Sequence, residues 1–424
     1  MLTAIAIGAF ALLFIGVPMW LIFLVLALFA LIVQGVSMEV AVQGLTGTIN
    51  NLVLLSVPGF IFAGGIMARG GMAARLINWI AALVGRVPGG LALTTISAAE
   101  LFGAISGSSA ATVAALGRIL HSGLLKQGYD ERFVLGLLTS SGAIAIIIPP
   151  SITMILFSVM TNASVGKLFL AGFIPGLLVG FCAAIYCVWY AIRHGVSAGR
   201  EWDLAEIGRT TRDVFWTLGA PLIIFGGIYG GFTTPTEASM IVSVYAVVVS
   251  LMIYREITLA GVWDVLMETA DLTAKLFVIV AAAGVFSWYL AAEAVPQTIV
   301  SAIEGLNLAP WMILLVINVV LLIVGMFMDP NSAVVLLAPL LWPIAQHAGV
   351  DLIHFGIIFT VNLAIGMFTP PFGLNLFVAG SLFRARSTDI VAGLMPFFVT
   401  YLVALALITY IPALSLWLPS VLMK

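Results

Sequence analysis

Charge is what this chain of 424 residues has least of: Asp, Glu, Lys and Arg make up 8% of it, against 62% hydrophobic residues. Globular domains carry roughly 25% charged residues, so an ordinary soluble fold is excluded. The net charge of −2 offers no basic surface to a nucleic acid. Only two cysteines occur, Cys182 and Cys187, both inside one apolar segment. That excludes a disulfide framework and leaves them as small core residues. No basic residue precedes Arg69, so the apolar N-terminus lacks the positive start of a signal peptide and reads as a mature span. A Walker A loop is also missing: Gly166-Lys167 is followed by Leu168, and Thr161 stands where the loop's first glycine belongs. Direct coupling to ATP within the chain is thereby disfavoured. No HExxH occurs, which leaves a zinc membrane protease unsupported.

What is present is apolar sequence from end to end, in runs of roughly 17–25 residues, the length that crosses a hydrocarbon core as a helix. The short alternating strands of a barrel are absent. Candidate spans are 2–15, 18–34, 52–68, 133–158, 168–192, 214–232, 238–254, 266–292, 355–383 and 389–417. Two further apolar stretches, 91–120 and 311–346, are broken near their centres and read as re-entrant hairpins. Residues 70–86 and 293–306 are more amphipathic and suit the membrane interface. The fold class is therefore an all-α polytopic membrane protein, with about ten transmembrane helices plus two re-entrant hairpins in a lipid bilayer. In this scheme only Lys167 and Lys424 among the 16 Lys and Arg face one side, and the rest crowd the other. The positive-inside rule makes the crowded side cytoplasmic and places both termini on the opposite, periplasmic side.

Motifs also return at a nearly constant distance. Ile148-Pro149-Pro150-Ser151 recurs as Thr369-Pro370-Pro371-Phe372, and Ala171-Gly172-Phe173-Ile174-Pro175 as Ala392-Gly393-Leu394-Met395-Pro396, both 221 residues on (370 − 149; 392 − 171). Gly107-Ser108-Ser109-Ala110 faces Pro330-Asn331-Ser332-Ala333 at 223 (330 − 107). With the spans above, the halves run in opposite directions through the membrane. The chain divides into a first inverted repeat, 1–200, and a second, 201–424. Each holds scaffold helices, an interfacial arm, a hairpin (91–120; 311–346) and a broken helix (133–158; 355–383). Inverted repeats with paired broken elements mark secondary transporters.

The breaks carry the chemistry. Proline lacks the N–H that bonds the carbonyl four residues back, so Pro149 and Pro150 free the carbonyls of Ala145 and Ile146, and Pro370 and Pro371 those of Gly366 and Met367. Such backbone is tolerated at membrane depth only where it lines a cavity or is buried in protein, and it suits a hard cation such as Na⁺. Asp329-Pro330-Asn331-Ser332 reads as a helix start, with Asp as N-cap and Pro at N1; Ser106-Gly107-Ser108-Ser109 is its counterpart. Each hairpin thus presents a helix N-terminus, which favours an anion. Ser106, Ser108, Ser109, Asn331, Ser332, Asn362 and Asn375 supply side chains for Na⁺ or substrate. Glu100 is a carboxylate at membrane depth and a site candidate on that ground. Thr234-Pro235-Thr236-Glu237 reads as a structural capping box. All four histidines fall in expected loops, which weakens a rival reading of Ser106 as the nucleophile of an intramembrane serine hydrolase, because such a serine needs a base. A passive channel is disfavoured too, since hairpins from both sides would obstruct a pore.

The hairpin from Glu100 to Ser109, the element Ile148-Pro149-Pro150-Ser151, the run from Gly231 to Ala238 (GFTTPTEA) and the run from Phe368 to Gly373 (FTPPFG) resemble the large membrane subunit of tripartite ATP-independent periplasmic (TRAP) transporters, in that family's order. The resemblance implies an elevator-type transporter of the bacterial inner membrane without covalent chemistry, driven by a sodium gradient. It also implies a small carboxylate substrate, such as a C4-dicarboxylate or a sialic or other sugar acid. A soluble periplasmic binding protein (P type) would deliver the substrate. In some members a small four-helix membrane subunit (Q type) is fused in front; this chain starts too late to contain it, so a separate one is expected. One implied sodium site uses Ser106 and Ser108 with Ser141 and Pro149, the other Gly325 and Asp329 with Gly366 and Thr369. Substrate would fall to Ser109, Asn331, Ser332, Asn362 and Asn375.

Overall fold

The computed structural model describes residues 17–84, 87–196, 203–305 and 308–423 together with Gly8 and Leu12; among them the chain is helical, without a β-strand. Apart from those two residues the expected span 2–15 lies outside the described residues, as do Arg86, Arg200 and Lys424.

The helices of the first half are α1 (Met19–Val33), α2 (Met38–Ile49), α3 (Ser56–Arg69, entered through a 3₁₀ turn at Leu52–Leu55), α4 (Met72–Val84), α5 (Gly90–Ser106), α6 (Ser109–Lys126), α7 (Glu131–Ile144), α8 (Ile152–Thr161) and α9 (Val165–Arg193). Those of the second are α10 (Leu204–Tyr229), α11 (Pro235–Val248), α12 (Leu259–Ala292), α13 (Val295–Gly305), α14 (Pro310–Phe327), α15 (Pro330–His347), α16 (Leu352–Gly366), α17 (Leu374–Phe383), α18 (Ser387–Tyr410) and α19 (Ala413–Leu422). Among the described residues, six helical segments are long and apolar enough to cross a bilayer: Leu52–Arg69, Val165–Arg193, Pro235–Ile253, Leu259–Ala292, Pro310–Phe327 and Ser387–Tyr410. The expected spans 52–68, 168–192, 238–254 and 266–292 each fall on one of these. The expected span 389–417 is divided: α18 ends at Tyr410, and Pro412, which cannot continue a helix hydrogen-bond ladder, starts α19. Both expected hairpins form, α5–α6 and α14–α15, and the amphipathic stretches become α4 and α13.

Local chemistry repeats at one spacing. Asp130 caps α7, accepting from the N–H groups of Arg132 and Phe133; Asp351, 221 residues on (351 − 130), caps α16 through Ile353 and His354 in the same way. Two residues before each cap the chain turns through a left-handed conformation, Gly128 at φ 89° and Gly349 at φ 76°, which only glycine adopts without strain. The hairpin caps obey the same spacing: Ser108 caps α6 and Asp329 caps α15 (329 − 108 = 221). This corrects the offset of 223 read from the sequence, which paired Gly107 with Pro330, because cap aligns with cap rather than glycine with proline. Both proline pairs, Pro149-Pro150 and Pro370-Pro371, hold cis peptide bonds.

The core sits where α7 and α16 lie. Every residue from Phe133 to Ile144 and from His354 to Gly366 is buried. A helix buried on all sides needs no polar face, so the few polar residues of these two, Thr139, Ser140 and Ser141 in α7 and His354, Thr360 and Asn362 in α16, are buried with the rest. Around them the halves cross: α6 of the first hairpin packs on α17 of the second half, and α15 of the second hairpin packs on α8 of the first. The remaining long helices α1, α3, α10, α11 and α12, with α2 and α4, pack mainly among themselves.

Candidate functional site: hairpin tips and interrupted helices

At the first tip Gly107 closes α5 with φ 57°, and a Cβ there would stand 2.8 Å from the carbonyl oxygen of Pro150. The tip therefore rests on the Pro-Pro segment with no room for a side chain. One turn back, a Cβ on Gly103 would lie 2.5 Å from Cα of Ala145. Ser108 accepts from the Ala111 N–H at 3.4 Å, as an N-cap. Thr112 donates its hydroxyl proton to the Ser108 carbonyl at 2.8 Å. Ser106 must then be the donor in its 3.1 Å contact with Thr112 Oγ1. Ser106 thus pairs with a second hydroxyl rather than a base. Thr112 was not anticipated; its position one turn into α6 was the available signal.

The second tip is built on a carboxylate. Asp329 accepts from the N–H groups of Asn331 (3.0 Å) and Ser332 (3.1 Å), and the Ser332 hydroxyl donates to its other oxygen. The expected cap with Pro330 at N1 is present. Close backbone approach recurs here: a Cβ on Gly366 would lie 2.5 Å from the carbonyl carbon of Gly325 and 2.6 Å from its oxygen. The two tips thus sit on the two interrupted helices through glycine contacts, Gly103 to Ala145 and Gly325 to Gly366.

The carbonyls behave differently in the two halves. Ala145 and Ile146 follow the end of α7, and among the described residues their oxygens accept no backbone hydrogen bond outside a helix. The sequence expectation that Gly366 and Met367 are likewise freed is corrected: Gly366 O accepts from Thr369 N–H at 3.1 Å, and Met367 O from Asn375 N–H at 2.9 Å. Thr369, just before the proline pair, supplies the donor to Gly366, and the chain folding back after Pro371 supplies the one to Met367. Each of these oxygens keeps a second lone pair. Thr369, just past the end of α16, and Ser141 within α7 are buried, and each hydroxyl donates to the carbonyl four residues back, Ile365 (2.6 Å) and Leu137.

Side chains then join the halves. Asn375, fully buried in the first turn of α17, donates to Ser109 Oγ (2.8 Å) and to the carbonyl of Thr139 (3.1 Å), and Ser109 donates back to Asn375 Oδ1 (3.0 Å). At the corresponding place on the other side, Thr153 of α8 donates to Asn331 Oδ1 at 3.4 Å. At the 221-residue spacing Ser109 aligns with Pro330 and Thr153 with Leu374, so the two amide–hydroxyl pairs are not position-for-position equivalents; each nonetheless joins a hairpin tip to a helix of the opposite half.

Paired hairpins, interrupted helices and crossed contacts have a counterpart among known proteins. Residues 6–414 match the family model described as tripartite ATP-independent periplasmic transporter, DctM component. The chain belongs to this family. It is 43% identical over 373 residues to the C4-dicarboxylate TRAP transporter large permease protein DctM of Pseudomonas aeruginosa, covering 88% of this chain and 87% of that one. It is 39% identical over 414 residues to the isethionate TRAP transporter permease protein DctMQ of Oleidesulfovibrio alaskensis, 97% of this chain and 65% of that one. The fold is shared with the YdaH transporter of Alcanivorax borkumensis, at a TM-score of 0.61 and 13% identity over 87% of this chain and 86% of that one.

Not every expected residue of this DctM-family chain gathers at the tips. Asn362 is buried in α16 and donates to Asn318 Oδ1 of α14 and to Ile358 O, both at 2.7 Å. Asn318 in turn donates to Thr409 Oγ1 of α18 at 3.1 Å. His354 joins the same seam, 3.3 Å from the Thr409 carbonyl. The expectation that all histidines lie in loops is therefore corrected. His354 is buried inside α16, and His121 lies in α6, stacked on Phe383 with ring centroids 4.6 Å apart. His347 ends α15 and His194 caps α9. Of the two, His354 is buried and His121 partly so. The capping box at Thr234 and Glu237 forms as expected, with Pro235 at N1.

Proposed function

We propose that this chain is the sodium-coupled, substrate-conducting subunit of an importer for a small organic acid. The supporting observation is the doubled arrangement of hairpin tips on interrupted helices. Each tip presents the N-terminus of an 18-residue helix, α6 or α15, a setting that favours a carboxylate. The possible cation ligands at and beneath the tips are oxygens: the hydroxyls of Ser106, Ser108, Ser141 and Thr369, the Asp329 carboxylate and backbone carbonyls. Among the described residues no cluster of His, Cys, Asp or Glu suits a transition metal, whereas oxygen ligands suit a hard cation. Ser106, Ser108, Ser141 and Pro149 form one proposed sodium site, and Gly325, Asp329, Gly366 and Thr369 the other. Ser109, Asn331, Ser332, Asn362 and Asn375 are assigned to substrate, Asn362 through the seam it forms with Asn318.

The substrate class follows from the relatives named for a C4-dicarboxylate and for isethionate, both small organic anions. Residues 1–200 and 201–424 are assigned as inverted repeats in an inner membrane, with both termini periplasmic. In an elevator cycle the two hairpins with α7, α8, α16 and α17 move as one body past the other long helices. A small four-helix Q-type subunit completes the membrane part, and a P-type binding protein delivers the substrate.

Proteoliposomes holding this chain, its small subunit and the binding protein test the proposal with a C4-dicarboxylate as substrate. Accumulation is expected only under an inward Na⁺ gradient and only with the binding protein present. Equal uptake in Na⁺-free buffer at a clamped membrane potential would overturn the sodium coupling. Uptake without the binding protein would mark a stand-alone anion transporter instead.

A further inference from the structure

We propose that Glu100 is a proton-binding site at the centre of the membrane-spanning region, on the same hairpin as Ser106 but distinct from the residues assigned to sodium and substrate. Glu100 lies on α5, six residues before Ser106 at the hairpin tip, about 9 Å along the helix axis. Opposite it stands Gly180, one residue past the midpoint of the 29-residue helix α9, which puts the carboxyl far from either end of that span. A Cβ on Gly180 would stand 1.9 Å from Glu100 Oε1. The carboxyl therefore occupies the space of a missing side chain, and α9 is shaped to receive it.

The cavity at this place, about 530 Å³, is walled by Ile96, Leu177, Phe181 and Leu414, with Ser97 and Glu100 among its few polar members. Leu177 and Phe181 are more than half exposed on the outer face of α9, where hydrocarbon would meet them. Among the described residues the Glu100 side chain has no hydrogen-bond or ion-pair partner. No cation faces it. The charged residues of α9, Lys167 and Arg193, are each 13 residues from Gly180, roughly 20 Å along the axis. Glu100 is the only charged residue of α5, and α19 carries none. The other titratable groups near this part of the core are Cys182, Tyr186 and Cys187 of α9 and the phenol of Tyr401 on α18, which donates to the Ser140 carbonyl at 2.8 Å. All four are neutral donors that cannot balance a carboxylate. A carboxylate in apolar surroundings needs a counter-charge or a proton. A proton is the ligand that fits a pocket already filled by the carboxyl itself. Glu100 sits on hairpin one and faces α9, so proton occupancy bears on that contact.

Dicyclohexylcarbodiimide, which reacts with protonated carboxyls in apolar surroundings, tests this on the full chain in lipid nanodiscs. Mass spectrometry then locates and counts the adduct. Labelling is expected at Glu100, to fall about tenfold per pH unit above its midpoint, and to vanish in Glu100→Gln. Gly180→Ala, whose methyl takes the carboxyl's space, is expected to reduce labelling severalfold while the chain still elutes as a single species. It keeps the test open if Glu100→Gln fails to fold. An unlabelled Glu100 in folded wild-type protein at every pH, or labelling that ignores pH, overturns the proposal. Neither readout requires transport, so failure here is distinct from failure of the sodium coupling.

Discussion

Ser109 and Asn375 are 266 residues apart in the chain and 2.8 Å apart in space, with the hydroxyl of one hairpin tip held by the amide of the opposite half's helix. Asn375 also holds the Thr139 carbonyl, so a single buried amide ties α6, α7 and α17 together. Removing it leaves the buried Ser109 hydroxyl without its amide partner, worth about 1–3 kcal/mol, and takes a second hydrogen bond from the Thr139 carbonyl.

Asn375→Ala is accordingly expected to lower thermal stability in detergent clearly, and Ser109→Ala less, because Thr139 keeps its partner there. The double variant should fall short of the sum by about 0.5–3 kcal/mol, as for residues in one network. Strict additivity of the shifts in denaturation midpoint would show that the two side chains act independently.

A second relationship concerns Gly325 and Gly366. A methyl on Gly366 would meet Gly325 backbone at 2.5 Å, whereas one on Gly325 would meet Cα of Gly366 at 3.1 Å. Backbone cannot rotate away as a side chain can, and overpacking a core costs about 1–3 kcal/mol or more. Gly366→Ala is therefore expected to reduce the monodisperse yield on size exclusion severely and Gly325→Ala mildly. Equal behaviour, or the reverse order, would contradict the packing described.

The local grammar of these tips was legible in the sequence, because capping is a short-range matter. Asp329-Pro330, Ser108 and the Thr234–Glu237 box each announce a helix start within four residues, and the proline pairs announce the breaks. What the sequence hid is contact across the chain. Nothing in periodicity says that α6 meets α17 and α15 meets α8, or that Asn318, Thr409 and His354 share a seam with Asn362. The carbonyls of Gly366 and Met367 were misjudged for the same reason. The donor to Met367 comes from Asn375, where the chain folds back after Pro371, and the donor to Gly366 from Thr369 three residues on, and a proline rule that looks four residues away reaches neither. Pro412 was a visible stop signal within an apolar run whose length favoured a single span.

The cap at Thr234 separates structure from function on the outer surface. Its hydroxyl accepts from Glu237 N–H, and the Glu237 carboxylate accepts from Thr234 N–H at 2.8 Å. Losing a cap weakens the first turn of a helix without touching either hairpin. Thr234→Ala is expected to lower the denaturation midpoint by a few degrees while uptake per folded molecule stays at the wild-type level. A drop in uptake at unchanged stability would give this motif a role in transport that its geometry does not suggest.

Thr369 carries the sharpest test of the sodium assignment. Its hydroxyl proton is committed to the Ile365 carbonyl at 2.6 Å, so the oxygen's lone pairs remain as acceptors at the end of α16. Valine has nearly the same shape and removes the oxygen; serine keeps the oxygen and loses only a methyl. If this oxygen serves a cation, Thr369→Val should raise the Na⁺ concentration for half-maximal uptake about tenfold or more, in line with the loss of a ligand-level contact, and Thr369→Ser should stay near wild type. The buried hydroxyl also satisfies its own helix, so stability must be measured alongside. A valine variant that loses folded protein but keeps the wild-type Na⁺ dependence would assign Thr369 to packing, and the second sodium site would have to be drawn from Gly325, Asp329 and Gly366 alone.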